Sequence, residues 1–141
     1  IDNNKISSIT DTHKVIDMRP INSVNFIHGD VNDINIRGEI NKIITSADLV
    51  LSDIAPNITG IEDVDQANFV QIFESILDVC SDFLNIKGIL VMKFFNGSSY
   101  DFVLKRLKSV FNEVNIYKPD SSRTRSNEMF FICIDFKDCY H

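Results

Sequence analysis

Ile89-Leu-Val-Met-Lys-Phe-Phe95 is an almost unbroken apolar run that carries a single charge, Lys93. It has the length of a strand rather than a helix. Apolar residues at consecutive positions suit a strand covered on both faces, as at the centre of an α/β sheet. A lysine in such a strand must reach the end of the sheet, find a carboxylate or lose its proton. Desolvation would lower its pKa toward the range of a useful base. The plainer alternative is a strand-end lysine that extends its ammonium to water along its own apolar stem.

Outward from this strand, helices and strands alternate. Upstream, residues 64–84 place Phe69, Val70, Phe73, Ile76, Leu77, Cys80 and Leu84 on one helical face, with Gly88 beyond the helix end. Asp48-Leu-Val-Leu-Ser-Asp53 predicts a strand ending in an acid, broken by Ala55-Pro56-Asn57. Residues 34–44 predict an amphipathic helix through Ile36, Ile40, Ile43 and Ile44, with Asp33 as its cap. Lys14 to Asp17 and Val24 to Ile27 predict two further strands, the second closed by His28-Gly29-Asp30.

Downstream, Ser98 or Ser99 starts a helix running to Phe111, with Phe102, Val103, Leu107 and Val110 inward. Val114 to Tyr117 and Met129 to Ile134 are strands, joined by a polar loop over 119–126. That loop is too short for a parallel crossover, so the last two strands are antiparallel. The expected architecture is a single α/β domain over residues 1–141. Its sheet is Rossmann-like and mostly parallel, with a C-terminal antiparallel strand.

The 141 residues suffice for one domain and not two. The run of about 20 apolar residues that a membrane helix needs is absent. Ile1 to Thr10 has neither the basic nor the apolar region of a secretory signal, and no initiator Met, so the true N-terminus is expected to lie upstream. Cys80, Cys133 and Cys139 lack the paired spacing of a disulfide framework or a zinc site, which fits incidental thiols in a reducing cytoplasm. No metal is expected. A net charge of −6 argues against broad nucleic-acid binding. Between Lys105 and Arg125, however, six basic residues face two acidic ones. This is either a local surface for a phosphate backbone or a solvated helix face and loop.

In open α/β sheets, ligands sit beyond the carboxyl ends of the strands. Three acids fall there: Asp17, Asp30 and Asp53. Together they suit the hydroxyl and amino groups of a nucleoside. Glu128 begins the last strand. Because that strand runs backwards, its start lies at the same edge as the ends of the others. Asp53, Lys93 and Glu128 are therefore expected to converge, with the two carboxylates raising a lysine pKa that burial lowers.

Ser52-Asp-Ile-Ala-Pro-Asn57, Val91-Met-Lys-Phe-Phe-Asn-Gly97 and Lys118-Pro-Asp-Ser-Ser-Arg-Thr-Arg-Ser-Asn-Glu128 resemble successive motifs of the FtsJ-type (RrmJ-like) ribosomal RNA 2′-O-ribose methyltransferases. The order and spacing fit from about Asp17 to Asp135. The pattern is most similar to members that modify large-subunit ribosomal RNA. The resemblance implies a Lys-Asp-Lys-Glu tetrad, of which Asp53, Lys93 and Glu128 match the last three members. It implies that Lys93 deprotonates, or guides deprotonation of, a ribose 2′-hydroxyl, most similar in target to a uridine. The oxygen would then take the methyl group of S-adenosylmethionine. Asp17, Asp30, Val31 and Asp53 match the cofactor-binding positions, and Lys118, Arg123 and Arg125 match loop positions suited to RNA phosphates. The implied partner is ribosomal RNA or the assembled large subunit, met by a cytoplasmic monomer with no membrane attachment.

The family's first lysine and its glycine-rich loop have no counterpart here. Residues 1–13 resemble the end of the helix that follows that loop. The resemblance thus implies a chain lacking the first strand, which belongs between the strands ending at Asp17 and Asp53. A catalytically silent RNA-binding module derived from a methyltransferase is the alternative. A Rossmann-type oxidoreductase lacks its glycine fingerprint here. A purely structural domain would leave Lys93 out of reach of both carboxylates.

Overall fold

The computed structural model describes residues 9–10, 15–16, 24–119 and 128–138. The chain divides into two compact units, residues 1–44 and 45–141. In the first unit, β1 (Ile9–Thr10) pairs antiparallel with β2 (Val15–Ile16), and α1 spans Ile34–Ile43. Residues 9–10 are thus strand, where the end of a helix was expected. The four paired residues are all β-branched, a residue type that favours extended backbone.

The expected strand over Val24 to Ile27 does not form. No described strand pairs with it, and Phe26 is exposed. Helix α1 matches the expectation closely. Asp33 is its N-cap, and its carboxylate accepts the Asn35 N–H at 2.8 Å. Its apolar stripe stays half-exposed within this unit, however, and none of its residues is buried.

The second unit contains β3 (Ala47–Ser52), α2 (Glu62–Phe83), β4 (Leu84–Phe95), α3 (Tyr100–Val110), β5 (Phe111–Tyr117) and β6 (Glu128–Phe136). The sheet order is β3-β4-β6-β5. β3 and β4 are parallel, while β6 runs antiparallel to both β4 and β5. Three strands therefore share one direction, and β6 lies reversed between two of them. The α/β class, the prevailing strand direction and the reversed last strand all agree with the sequence.

One face of this sheet holds the core. Leu90, Met92 and Phe94 of β4 align with Cys133, Phe131 and Met129 of β6. Against them pack Phe69, Phe73, Ile76, Leu77 and Cys80 of α2, and Val103, Leu107 and Val110 of α3. Phe94 stacks on Phe131 with ring centroids 3.8 Å apart. The opposite face of β4, bearing Ile89, Val91, Lys93 and Phe95, is half-buried rather than fully covered as expected. Both helices of this unit pack on the other face, which explains the asymmetry.

Helix α2 ends at Phe83, and β4 begins at once with Leu84. Gly88 is not a helix stop but part of a bulge. Ala47 pairs with Leu84 while Leu49 pairs with Ile89, and Lys87 takes φ = 71° to absorb the extra residues. A Cβ on Gly88 would lie 2.5 Å from Leu84 Cδ1 and 2.7 Å from the Asn85 carbonyl oxygen.

Phe102 departs from the inward position expected of it. It is 53% exposed and meets the core ring of Phe73 edge-on. The buried stripe of α3 follows Val103, Leu107 and Val110. Phe102 lies one residue, about 100°, around the helix from it. These positions separate energetically. Phe131→Ala should cost about 3–5 kcal/mol and Phe102→Ala no more than about 1 kcal/mol, read from urea midpoints at constant m-value.

Candidate active site

The sheet register assembles the polar centre. Ser52 pairs with Met92, so Asp53, the next residue, falls beside Lys93. Lys93 pairs with Phe130, and Glu128, two residues earlier on β6, lies on that same face. All three side chains thus leave one face of three adjacent strands, opposite the core.

The Lys93 ammonium lies 2.6 Å from Asp53 Oδ1 and 3.5 Å from Glu128 Oε1. Its side chain is 15% exposed, whereas that of Asp53 is 80% exposed. Lys93 thus reaches both acids, unlike the separation that a purely structural domain was expected to leave. The hydrogen bond from Lys93 to Asp53 raises the lysine pKa above its ordinary 10.5. Burial opposes this, and the charges of Asp53 and Glu128 reinforce it. The question left open by the sequence resolves toward a protonated lysine in the resting site.

The segment after β3 is tied down at its far end. The Asp65 carboxylate, in the first turns of α2, accepts the Thr59 N–H at 2.8 Å, the Thr59 hydroxyl at 2.7 Å and the Gly60 N–H at 3.1 Å. Gly60 sits at φ = 86°, where any side chain would strain the turn. These bonds, led by the Thr59 N–H, hold the Asp65 carboxyl below its ordinary 3.8. Between this segment and α2 lies an open cleft lined by Ala55, Pro56, Asn57, Asn68, Gln71 and Ile72.

The segment after β4 is tied to the same helix. Ser99 is the N-cap of α3 but makes no side-chain capping bond. Its N–H instead donates to Gln66 Oε1 at 2.9 Å, and its hydroxyl donates to the same oxygen. Asp65 and Gln66 were not singled out in the sequence. Their signal was weak: two adjacent polar residues at the start of an otherwise apolar-faced helix.

The remaining candidates fall elsewhere. Asp30 does not end a strand. Its carboxylate accepts the Asn32 N–H at 2.8 Å and its carbonyl accepts the Asp33 N–H, forming the turn that opens α1. Val31 uses its carbonyl to accept the Arg37 side chain at 2.6 Å. Both belong to the first unit and Asp53 to the second. Lys118 is exposed just beyond β5. Asp17, Arg123, Arg125 and Cys139 lie outside the described residues. Cys80 and Cys133 are buried, and burial pushes the Cys133 thiol up to about 12. No described helix is long and apolar enough to cross a membrane.

The ion pairs of Lys93 favour its protonated form in the folded state. They stabilise the fold fully below pH 10.5, and this contribution is lost as pH rises through the higher folded value. Asp53→Asn should lower the Lys93 titration midpoint more than Glu128→Gln does, because the Asp53 contact is shorter. Nitrogen-detected NMR of the lysine ammonium reads both shifts. Equal shifts would contradict the unequal geometry.

A family model described as FtsJ-like methyltransferase matches residues 3–136. Among curated proteins, the ribosomal RNA large subunit methyltransferase E of Marinobacter nauticus is 39% identical over 125 residues, covering 87% of this chain and 60% of that protein. The protein of that name from Cellvibrio japonicus is 40% identical over 127 residues, covering 89% of this chain and 60% of the relative. The chain thus spans about three-fifths of the length of these relatives. A Plasmodium falciparum protein assigned as a ribosomal RNA methyltransferase superposes with a TM-score of 0.72 at 27% identity, over 84% of this chain and 67% of that one. An alphavirus protein, at 19% identity and a TM-score of 0.52 over 67% of this chain and 14% of its own, shares the fold alone. With the family match covering all but the ends of the chain, the protein belongs to the FtsJ-like methyltransferase family.

Proposed function

We propose that this chain carries the reaction centre of an RNA methyltransferase that transfers the methyl group of S-adenosylmethionine to a ribose 2′-hydroxyl. The proposed substrate is large-subunit ribosomal RNA, with a uridine as the target. The observation that carries the reading is the approach of Lys93 to Asp53 and Glu128 at the open end of three strands. The relatives named for large-subunit ribosomal RNA support the choice of substrate.

The donor set fits the cofactor in part. The Asp53 carboxylate is exposed beside its contact with Lys93, and a carboxylate suits a cationic methionine end. Asp30, Val31 and Asp17 are the proposed adenosine-side residues. Bound S-adenosylmethionine supplies an electrophilic methyl group on a sulfonium.

The chain's own residues then act by charge and placement. Lys93 is an ammonium at neutral pH, so it serves better as a donor to the ribose oxygen than as its base. Aimed at that oxygen, it favours the alkoxide character that develops as the methyl carbon approaches. The hydroxyl proton leaves toward a carboxylate, for which Asp53 is the exposed candidate, and then to water. Asp53 and Glu128 hold the ammonium so that it need not reorganise during the reaction, which is where fixed charges gain most over water. Alignment of oxygen and methyl group supplies much of the remainder. Lys118, Arg123 and Arg125 are the proposed phosphate contacts, and RNA bound through them weakens with salt.

Transfer of labelled methyl groups to ribosomal RNA and to large subunits tests this reading. Lys93→Ala should lower kcat by roughly 10²-fold or more, as loss of a preorganised charge does. Glu128→Gln should lower it less, in keeping with its longer contact. A wild-type protein that binds RNA and transfers nothing supports the silent module instead. An undiminished rate in Lys93→Ala removes the proposed centre.

A further inference from the structure

The segments that follow the Asp53 and Lys93 strands are both fastened to the first turns of α2, by two neighbouring residues. Asp65 holds the end of the segment after β3, through Thr59 and Gly60. Gln66 holds the segment after β4, through both donors of Ser99. Ser99 is buried at 8% exposure, so its donors have little access to water as a substitute partner. Gly97 makes this contact possible. A Cβ there would fall 2.3 Å from Gln66 Nε2 and 2.6 Å from Gln66 Cδ. The glutamine amide therefore lies flat against the backbone of the turn.

We propose that Gln66 is a positioning residue for the reaction centre, fixing the turn after β4 and thereby the end of the strand that carries Lys93. Gln66 does not touch Lys93, Asp53 or Glu128 through any bond described above, so it acts through the backbone it holds. Lys93 is four residues from Gly97, whose backbone lies against the Gln66 amide, and six from Ser99, which bonds to it. A short stretch of strand gives little room for the turn to shift without moving the lysine. Asp65 anchors the companion segment, so α2 sets the relation between the two tethers. The start of α2 thus sets the spacing within which the ammonium meets Asp53.

The proposal rests on the function proposed above for its kinetic arm only. Gln66→Ala removes the acceptor, whereas Gln66→Glu keeps an oxygen for both Ser99 donors. In methyl transfer, Gln66→Ala should lower kcat about tenfold, equivalent to one hydrogen bond's worth of misplacement, with KM for RNA and cofactor little changed. Gln66→Glu should recover most of the rate. Gly97→Ala should mimic Gln66→Ala by displacing the amide, and combining the two should add little to either alone.

Two readouts need no activity. Exchange of the Ser99 amide should quicken at least about tenfold in Gln66→Ala, and the Lys93 ammonium midpoint should fall as its pairing loosens. If the wild type transfers no methyl group, the functional reading fails, and these two measurements decide the positioning role by themselves. The proposal is overturned if Gln66→Ala leaves both unchanged. It is also overturned if an active protein keeps its kcat in Gln66→Ala, or if Gln66→Glu is as impaired as Gln66→Ala while folded by circular dichroism.

Discussion

The antiparallel pairing of β6 with β4 is the constraint on which the rest depends. It places Lys93 opposite Phe130 and Met92 opposite Phe131. Side chains alternate between faces along a strand, so a slip of one residue would exchange the two sets. Phe131 would leave its stack on Phe94, and the β6 face toward Lys93 would lose Glu128. The core and the polar centre are therefore specified by the same register. The Phe94–Phe131 stack at 3.8 Å, buried on the helix side, makes the slipped alternative costly.

The polar centre shows how a charged lysine is tolerated in an apolar strand. Its stem shares a face with Val91 and Phe95, while its head emerges between two acids of adjacent strands. Burial at 15% exposure by itself lowers the pKa of such a lysine. Here the short bond to Asp53 more than offsets burial, and the ammonium persists. The direction of the shift suits the part proposed for Lys93, a fixed positive charge rather than a base. The sequence alone could not make that choice, because it set burial against pairing without magnitudes.

Legibility in the sequence followed locality. α1, α2, β3 and β6 came from apolar periodicity, and the reversed last strand from a loop too short for a crossover. The convergence of Asp53, Lys93 and Glu128 needed only strand direction. What failed depended on partners outside the segment. Val24 to Ile27 has a strand's composition but no described ladder, and Phe102 is apolar but lies off the stripe that α3 buries. Gly88 followed an apparent helix end, yet it serves a bulge that exists only because β4 pairs with β3. Asp30 was read as the end of a strand, and its backbone and carboxylate instead build the turn before α1.

Gln66 and Ser99 mark a further limit, since they are 33 residues apart and neither is unusual in its local window. Their bond has meaning only once the β4–α3 turn lies against the start of α2. The division of labour this creates has a physical logic. The sheet fixes which residues face the site, but the last residue of a strand and the loop beyond it have lost part of the ladder that would hold them. Reaction groups at strand ends therefore need support from elsewhere in the fold. A helix start offers it cheaply, because side chains in its first two turns lean back toward the helix start and the adjacent loops. In this protein Asp65 and Gln66 occupy those positions, one toward each loop. The precision of the centre then resides as much in α2 as in the strands that carry its charges.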